Sequence, residues 1–285
     1  MLWRDLPPSK ALLDALTTVG DRKAALTQTD KKNWSEQFAD ACARMIAAEL
    51  RRPELAKKRV MPTETSGTEL LVPLGVGTSK RIDVTVADTL LGLEIGVSLK
   101  GLNFRDAKTR NYDKNLTGRL YELADEVQLV HEYLPRAVMV GVFFLPLGST
   151  NDKPKGKSSF ANTAVKLRER SGRQGPTSIA QASLCDMGFV GLYTVDEAGY
   201  PDGLLRFFDV RKDPPWCGRP VIEDTVDLEG MVDAIVQRAI FAESLSWGTA
   251  EADETVLPSF RPGAIEPDVM AVFECRDEEE LPIDA

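Results

Sequence analysis

Two neighbouring stretches of this chain alternate apolar and polar residues, which is the period of a β-strand: Arg81-Ile82-Asp83-Val84-Thr85-Val86-Ala87 and Leu93-Glu94-Ile95-Gly96-Val97-Ser98-Leu99-Lys100. In the first, Ile82, Val84 and Val86 share one face and Arg81, Asp83 and Thr85 the other. In the second, Leu93, Ile95, Val97 and Leu99 oppose Glu94, Gly96, Ser98 and Lys100. Pairing the two as a hairpin lays both polar faces side by side. A turn centred on Leu90 and Leu91 sets Asp83 across from Ser98; one centred on Leu91 and Gly92 sets it across from Lys100. In either register the three polar residues are direct or diagonal neighbours. Glu94 falls on the order of 13 Å from Ser98 along the strand, too far to share an ion with Asp83. A sheet face carrying an aspartate, a serine and a lysine can bind a metal ion and activate a water.

The flanking pattern predicts the elements around this hairpin. Residues 9–19 read as a short helix, and a polar link over 27–30 leads to a longer helix over 33–51. The stripe of Trp34, Phe38, Cys42, Met45, Ile46 and Leu50 on that helix should lie on the sheet. Asn33 and Glu36 have capping-box spacing, so Glu36 either caps this helix or contributes a charge to a site. Residues 68–74 read as a first strand and 75–79 as the turn into the Asp83 strand. The next helix, over 116–134, carries Arg119, Glu122 and Glu126 on its second face and ends at Pro135. Residues 136–147 are a continuous apolar run, expected of a strand buried on both faces. Strands over 188–194 and 204–210 and a closing helix over 228–244 follow.

The hairpin residues resemble the PD-(D/E)xK nuclease superfamily, whose pattern is an aspartate on one strand and an acid-x-lysine on the next. Asp83 followed by Ser98-Leu99-Lys100 falls into that spacing, with Ile82 in the place of the proline and Ser98 in the place of the second acid. The resemblance spans roughly residues 33–146. It implies an α/β, restriction-endonuclease-like fold, a mixed central sheet with an αβββαβ core flanked by helices. It also implies a Mg²⁺ or Mn²⁺ site in which Asp83 and the Leu99 carbonyl bind the ion and Lys100 acts on the attacking water. In some restriction enzymes a serine stands at this place and a helix supplies the missing carboxylate. Glu36 is the first candidate for that charge and Glu122 the second. Gly101-Leu102-Asn103-Phe104-Arg105-Asp106 and His131-Glu132-Tyr133-Leu134-Pro135 are similar to bacterial restriction-type proteins of the superfamily.

Charge places the basic residues in two loops. Arg105, Lys108, Arg110 and Lys114 follow the Lys100 strand, where they suit phosphate contacts. Lys153, Lys155 and Lys157 open a segment, 152–173, with seven bases against two acids. The formal charge of −9 lies in the tail: eleven acids and two bases follow Ser244, so the preceding residues balance to zero. An acidic whole-chain balance therefore does not argue against a DNA-binding face. The expected organisation is a nuclease-like domain over 1–243 and an acidic, proline-containing tail over 244–285.

One histidine, His131, removes zinc clusters and most histidine-dependent hydrolases from consideration, and near the end of an amphipathic helix it reads as structural. The four cysteines form no CxxC pair, so reduced and mostly buried thiols are expected. No apolar run is long enough to span a membrane. A cytoplasmic protein is expected, with DNA as partner, and a protein partner or a second copy docked through the tail. The function these features imply is a metal-dependent DNA endonuclease of restriction or anti-phage type. A different class remains open, a nuclease-fold subunit that binds DNA or a partner protein in a defence complex without cutting. A third reading makes Asp83 and Lys100 a plain cross-strand ion pair.

Overall fold

The computed structural model of the chain describes residues 2–63, 70–75, 78–90, 92–153, 155–175 and 181–245. The expected tail thus lies outside the described residues, apart from its first two residues, which end the closing helix.

Helix α1 (Lys10–Val19) starts at Ser9, whose hydroxyl accepts the Leu12 N–H. Helix α2 (Gln28–Glu49) starts at Thr27, where the Thr27 and Asp30 side chains each accept the other's backbone N–H. That reciprocal cap begins α2 about a turn and a half before the position expected from the sequence. Glu36 therefore sits inside the helix and has no capping duty.

The expected first strand and the expected Asp83 strand are both corrected. β1 (Arg59–Met61) takes the place assigned to 68–74, while β2 (Leu70–Gly75) and β3 (Thr78–Ile82) pair only with each other. The chain leaves that ribbon at Ile82, breaks at Asp83 and enters the main sheet as β4 (Val84–Asp88). The break divides a face that alternation alone would keep together. Ile82 packs with Val72 in one core, and Val84 and Val86 pack in the other.

β4 is antiparallel to β1 on one side and to β5 (Gly92–Gly101) on the other. Helix α3 (Leu116–Tyr133) then crosses over to β6 (Val138–Pro146), which runs parallel to β5. α4 (Ser159–Arg168) leads to β7 (Met187–Tyr193), parallel to β6. β8 (Leu205–Asp209) and β9 (Thr225–Val226) add antiparallel, and α5 (Leu228–Leu245) closes the described chain. Among the described residues there are five α-helices and a seven-stranded mixed sheet in the order β1-β4-β5-β6-β7-β8-β9.

Two apolar cores lie on the two faces of this sheet. On one, residues of α1, α2 and α5 meet Val138, Val140, Val142 and Phe144 of β6; Phe38 stacks on Trp34 at 4.9 Å and meets Tyr193 at 4.7 Å. On the other, residues of α3 and α4 meet Met139, Phe143 and Leu145. β6 is thus buried on both faces, as its unbroken apolar run requires. β5 is not symmetric in this way. Ile95, Val97 and Leu99 enter the α2 core, so Ser98 and Lys100, of opposite parity, face α3.

His131 has the structural role its position suggested. It is buried, with Nδ1 2.9 Å from the Ala182 carbonyl and Nε2 3.2 Å from that of Ala137. Cys42 and Cys185 are buried free thiols, pushed well above the ordinary thiol value by burial. Cys217 departs from the expectation of reduced thiols, since it is disulfide-bonded. Among the described residues no helix is long and apolar enough to cross a membrane.

Candidate active site

The site begins with the hairpin register. Val84 pairs with Val97 and Thr85 with Gly96, which sets Asp83, one residue earlier, across from Ser98. Asp83 Oδ2 accepts the Leu99 N–H at 2.6 Å, so the carboxylate is tied to the backbone of the strand that carries Ser98 and Lys100. Placing the aspartate at the break between β3 and β4 frees it from a regular strand face and lets it reach over the end of β5.

The polar face of β5 meets α3. Glu126 Oε2 accepts the Ser98 hydroxyl at 2.5 Å, and Lys100 Nζ lies 3.0 Å and 3.1 Å from the two Glu126 oxygens. Both ends of the pair are largely withdrawn from water, with side-chain exposures of 9% for Lys100 and 16% for Glu126. The ion pair of Lys100 is thus made with a helix carboxylate, not with Asp83 across the hairpin. Attraction in this partly desolvated place is stronger than on an open surface, and the Ser98 hydroxyl adds a charge-assisted hydrogen bond that fixes the carboxylate plane.

Asp83, Leu99, Lys100 and Glu126 lie in the wall of a cleft of about 870 Å³. Glu36 also lines it, but from the opposite layer, with 63% of its side chain exposed and Lys32 at 3.6 Å. Glu122 does not line it. That residue is half exposed one turn before Glu126 and pairs with Arg119 at 2.8 Å. The helix acid that meets Ser98 and Lys100 is therefore Glu126, and strand parity is the reason: Ser98 and Lys100 point away from α2 and toward α3. The sequence placed Glu126 on the right helix face, but its candidates for the missing acid were Glu36 and Glu122, and the residue that meets Ser98 and Lys100 is neither.

Of the loop cations expected at the site, Arg105 and Lys114 line the cleft, and Lys108, Arg110, Lys153, Lys155 and Lys157 do not. Arg105 lies 5.2 Å over the Tyr112 ring. Lys114 pairs with Asp106, which also accepts the Lys108 and Thr109 N–H groups; these contacts, Lys114 first, hold the Asp106 carboxyl well below the usual carboxylate range. Lys153 anchors the loop from behind, 2.7 Å from Asp113. Asp152 completes that anchorage by accepting the Tyr112 and Ser159 N–H groups and the Ser159 hydroxyl. Lys157 lies 5.7 Å from the Trp216 ring, and desolvation together with nearby Lys166, Arg168 and Lys153 outweighs the attraction of Glu169 and lowers its pKa. The cleft instead recruits Lys31 and Lys32 from α2, Lys80 and Arg81 from β3 and Arg119 from α3. These residues are distant in sequence, so no local pattern marks them as a group.

Among the described residues no cluster of three or more histidine, cysteine, aspartate or glutamate side chains is arranged to hold a metal ion. Comparisons with protein-family models, with curated proteins and with solved structures find no match. The class defined by the coordinates is accordingly a mixed α/β protein whose cleft, at the carboxyl end of β5, joins an Asp-Ser-Lys-Glu constellation to a wall of cations.

Proposed function

We propose that this protein is a metal-dependent DNA endonuclease of the PD-(D/E)xK type, with a restriction-endonuclease-like core, acting in the cytoplasm in restriction or anti-phage defence. The observation that carries the reading is the convergence of Asp83, Lys100 and Glu126 in one cation-lined cleft. The run of α2, three antiparallel strands β1, β4 and β5, crossover α3 and parallel β6 supports it, since that order is αβββαβ with the β2–β3 ribbon inserted. The defence setting rests on the resemblance of the 101–106 and 131–135 segments to restriction-type proteins.

Asp83, Glu126 and the Leu99 carbonyl, all in the cleft wall, would hold a Mg²⁺ or Mn²⁺ ion, hard cations that bind through one or two carboxylates and take substrate phosphate oxygens and water for the rest. A bound ion would neutralise charge at the scissile phosphate and lower the barrier to attack by water. Ser98 positions Glu126 through its hydroxyl, and the Leu99 N–H orients Asp83. Lys100, fixed against Glu126, orients the attacking water and stabilises the charge that grows on the phosphate as the P–O bond breaks. Arg105, Lys114 and Lys31 hold the flanking phosphates, contacts that position the strand without reading its sequence.

A second reading is favoured by one observation: Glu126 is already satisfied by Lys100 and Ser98, and a third acid does not join it among the described residues. That arrangement also suits a subunit that binds DNA, or a partner in a defence complex, without cutting. Incubating supercoiled plasmid with the protein in Mg²⁺, Mn²⁺ or EDTA separates the two. Nicking that requires the metal and disappears in Asp83→Ala supports the enzyme; retarded but intact plasmid under every condition supports the binding subunit.

A further inference from the structure

Trp216 is 55% exposed and belongs to neither apolar core. Its backbone is nonetheless fixed: the Trp216 carbonyl accepts the Ser158 N–H at 2.9 Å, and Gly218, two residues on, donates to the Thr150 carbonyl at 2.8 Å. Pro214 and Pro215 stiffen the approach to it. A pinned loop thus presents its indole to water. Around that ring the charge has one sign. Lys157 lies 5.7 Å from it, and Lys153, Lys166 and Arg168 are near enough to repel Lys157. Glu169 attracts Lys157 and Asp213 pairs with Arg168 at 2.7 Å, but no carboxylate of the described residues forms an ion pair with Lys155, Lys157 or Lys166. We propose that this patch is a second nucleic-acid contact, outside the cleft, in which an unpaired base stacks on Trp216 while Lys155, Lys157 and Lys166 take the neighbouring phosphates. The ligand is a single strand because an indole stacks on any free base face, whereas a duplex keeps its bases stacked on one another. The proposal goes beyond the nuclease reading and requires neither the metal nor Asp83.

The patch and the cleft share one loop. Arg105, Tyr112 and Lys114 line the cleft. The same loop is packed on the segment that carries the patch: Ser159 Oγ accepts the Tyr112 and Asp113 N–H groups at 3.1 Å and 3.2 Å, and Lys153 bonds Asp113 at 2.7 Å. Lys157 follows Lys153 by four residues, at most roughly 14 Å of chain. A strand that leaves the cleft across this loop, which bears the exposed Lys108 and Arg110, therefore has the patch within a few nucleotides. Stacking at Trp216 and phosphate contacts at the lysines are separable contributions. The first is nearly independent of salt and needs an unpaired base; the second releases counterions and accepts single strand and duplex alike.

Binding of the full chain, without reductant and in EDTA, to a labelled single-stranded oligonucleotide and to the duplex it forms with its complement tests the contact apart from any cleavage. Trp216→Ala should weaken binding of the single strand on the order of tenfold and leave the duplex nearly unchanged. Trp216→Phe, which keeps an aromatic face, should recover most of that loss. Lys155→Gln/Lys157→Gln should lower the slope of log affinity against log salt for the single strand by about 0.7 for each phosphate contact removed. A Trp216→Ala variant that binds the single strand like wild type, or that loses single strand and duplex equally, overturns the proposal, as does a Trp216→Phe variant no better than Trp216→Ala. Single-strand binding that depends on Trp216, with no cleavage in Mg²⁺ or Mn²⁺, leaves the inference standing and refutes the nuclease reading. Metal-dependent cleavage with single-strand affinity indifferent to Trp216 does the reverse.

Discussion

Lys100 Nζ on β5 lies 3.0 Å and 3.1 Å from the two carboxylate oxygens of Glu126 on α3, 26 residues later in the chain and across the layer boundary. Removing the carboxylate leaves a nearly buried ammonium without its partner and a buried serine hydroxyl without its acceptor. Glu126→Ala should therefore cost about 2 kcal/mol in urea denaturation and abolish metal-dependent cleavage. Glu122→Ala removes a surface pair with Arg119 and should change stability by about 0.5 kcal/mol or less, with cleavage retained. A reversed order of the two variants would contradict the assignment of Glu126.

Asp83→Ala and Lys100→Ala should each lose cleavage while keeping the far-ultraviolet circular dichroism of the native protein. Glu94→Ala should keep its rate. Its carboxylate pairs with Lys58, which also holds Asp88 at 3.2 Å, and Glu94 does not line the cleft. A Glu94 variant as inactive as the Asp83 variant would mean that the reacting centre lies elsewhere on the hairpin.

Ser98 is 1% exposed, so a glutamate at that position has no room while Glu126 is present. Removing Glu126 vacates that room beside the strand. The double variant Ser98→Glu/Glu126→Ala should thus cleave faster than either single variant across a Mg²⁺ titration, a non-additivity expected of side chains in direct contact. Activities that simply multiply would show that the two positions do not share one carboxylate role.

Asp113 gives the loop beside the cleft a dependence on pH. Burial pushes its carboxyl up, but Lys153 and Asn162, each at 2.7 Å, outweigh burial and hold it below the ordinary carboxylate value. A depressed folded-state pKa means that this stabilisation is present above the unfolded-state value, about 4, and is lost as pH falls through the lower folded value. The stability gap between wild type and Asp113→Asn should be largest near neutrality and close in acid. A gap independent of pH, measured by urea titration at several pH values, would refute the account.

Asp186, just before β7 and outside the cleft lining, joins three elements. It accepts the Met139 N–H at 2.9 Å and Arg238 Nη2 at 2.7 Å, and lies 3.3 Å from His131 Nε2. Asp186→Ala leaves the partly buried Arg238 guanidinium without its carboxylate partner and a strand N–H without its acceptor, so a loss of about 2 kcal/mol or more is expected. Because Asp186 does not line the cleft, cleavage by the folded fraction should be unchanged. A folded but inactive variant would show that the hub and the cleft are coupled.

Local pattern was sufficient where one layer of contacts decides the outcome. Alternation in 93–100 marked β5 and separated Ser98 and Lys100 from the apolar face; the 3.6-residue stripes placed α2 and α3; the unbroken run at 138–146 announced a strand covered on both faces. Each reflects burial along a single element, which periodicity records directly. What remained was set by which elements touch. Pairing of β2 with β3 takes 70–82 out of the main sheet, and the resulting break at Asp83 sends Ile82 and Val84 into different cores, although alternation alone gives them one face. The cap at Thr27 and Asp30 lay in a stretch whose polarity reads equally well as a link. The choice of Glu126 over Glu36 and Glu122 depends on the side of β5 that α3 covers and on how far along its axis α3 has advanced when it passes Ser98. The cations of the cleft come together only because helix, ribbon and loop end at one edge of the sheet. Distances between elements of this kind arise from packing of whole layers, and a linear pattern carries no record of them.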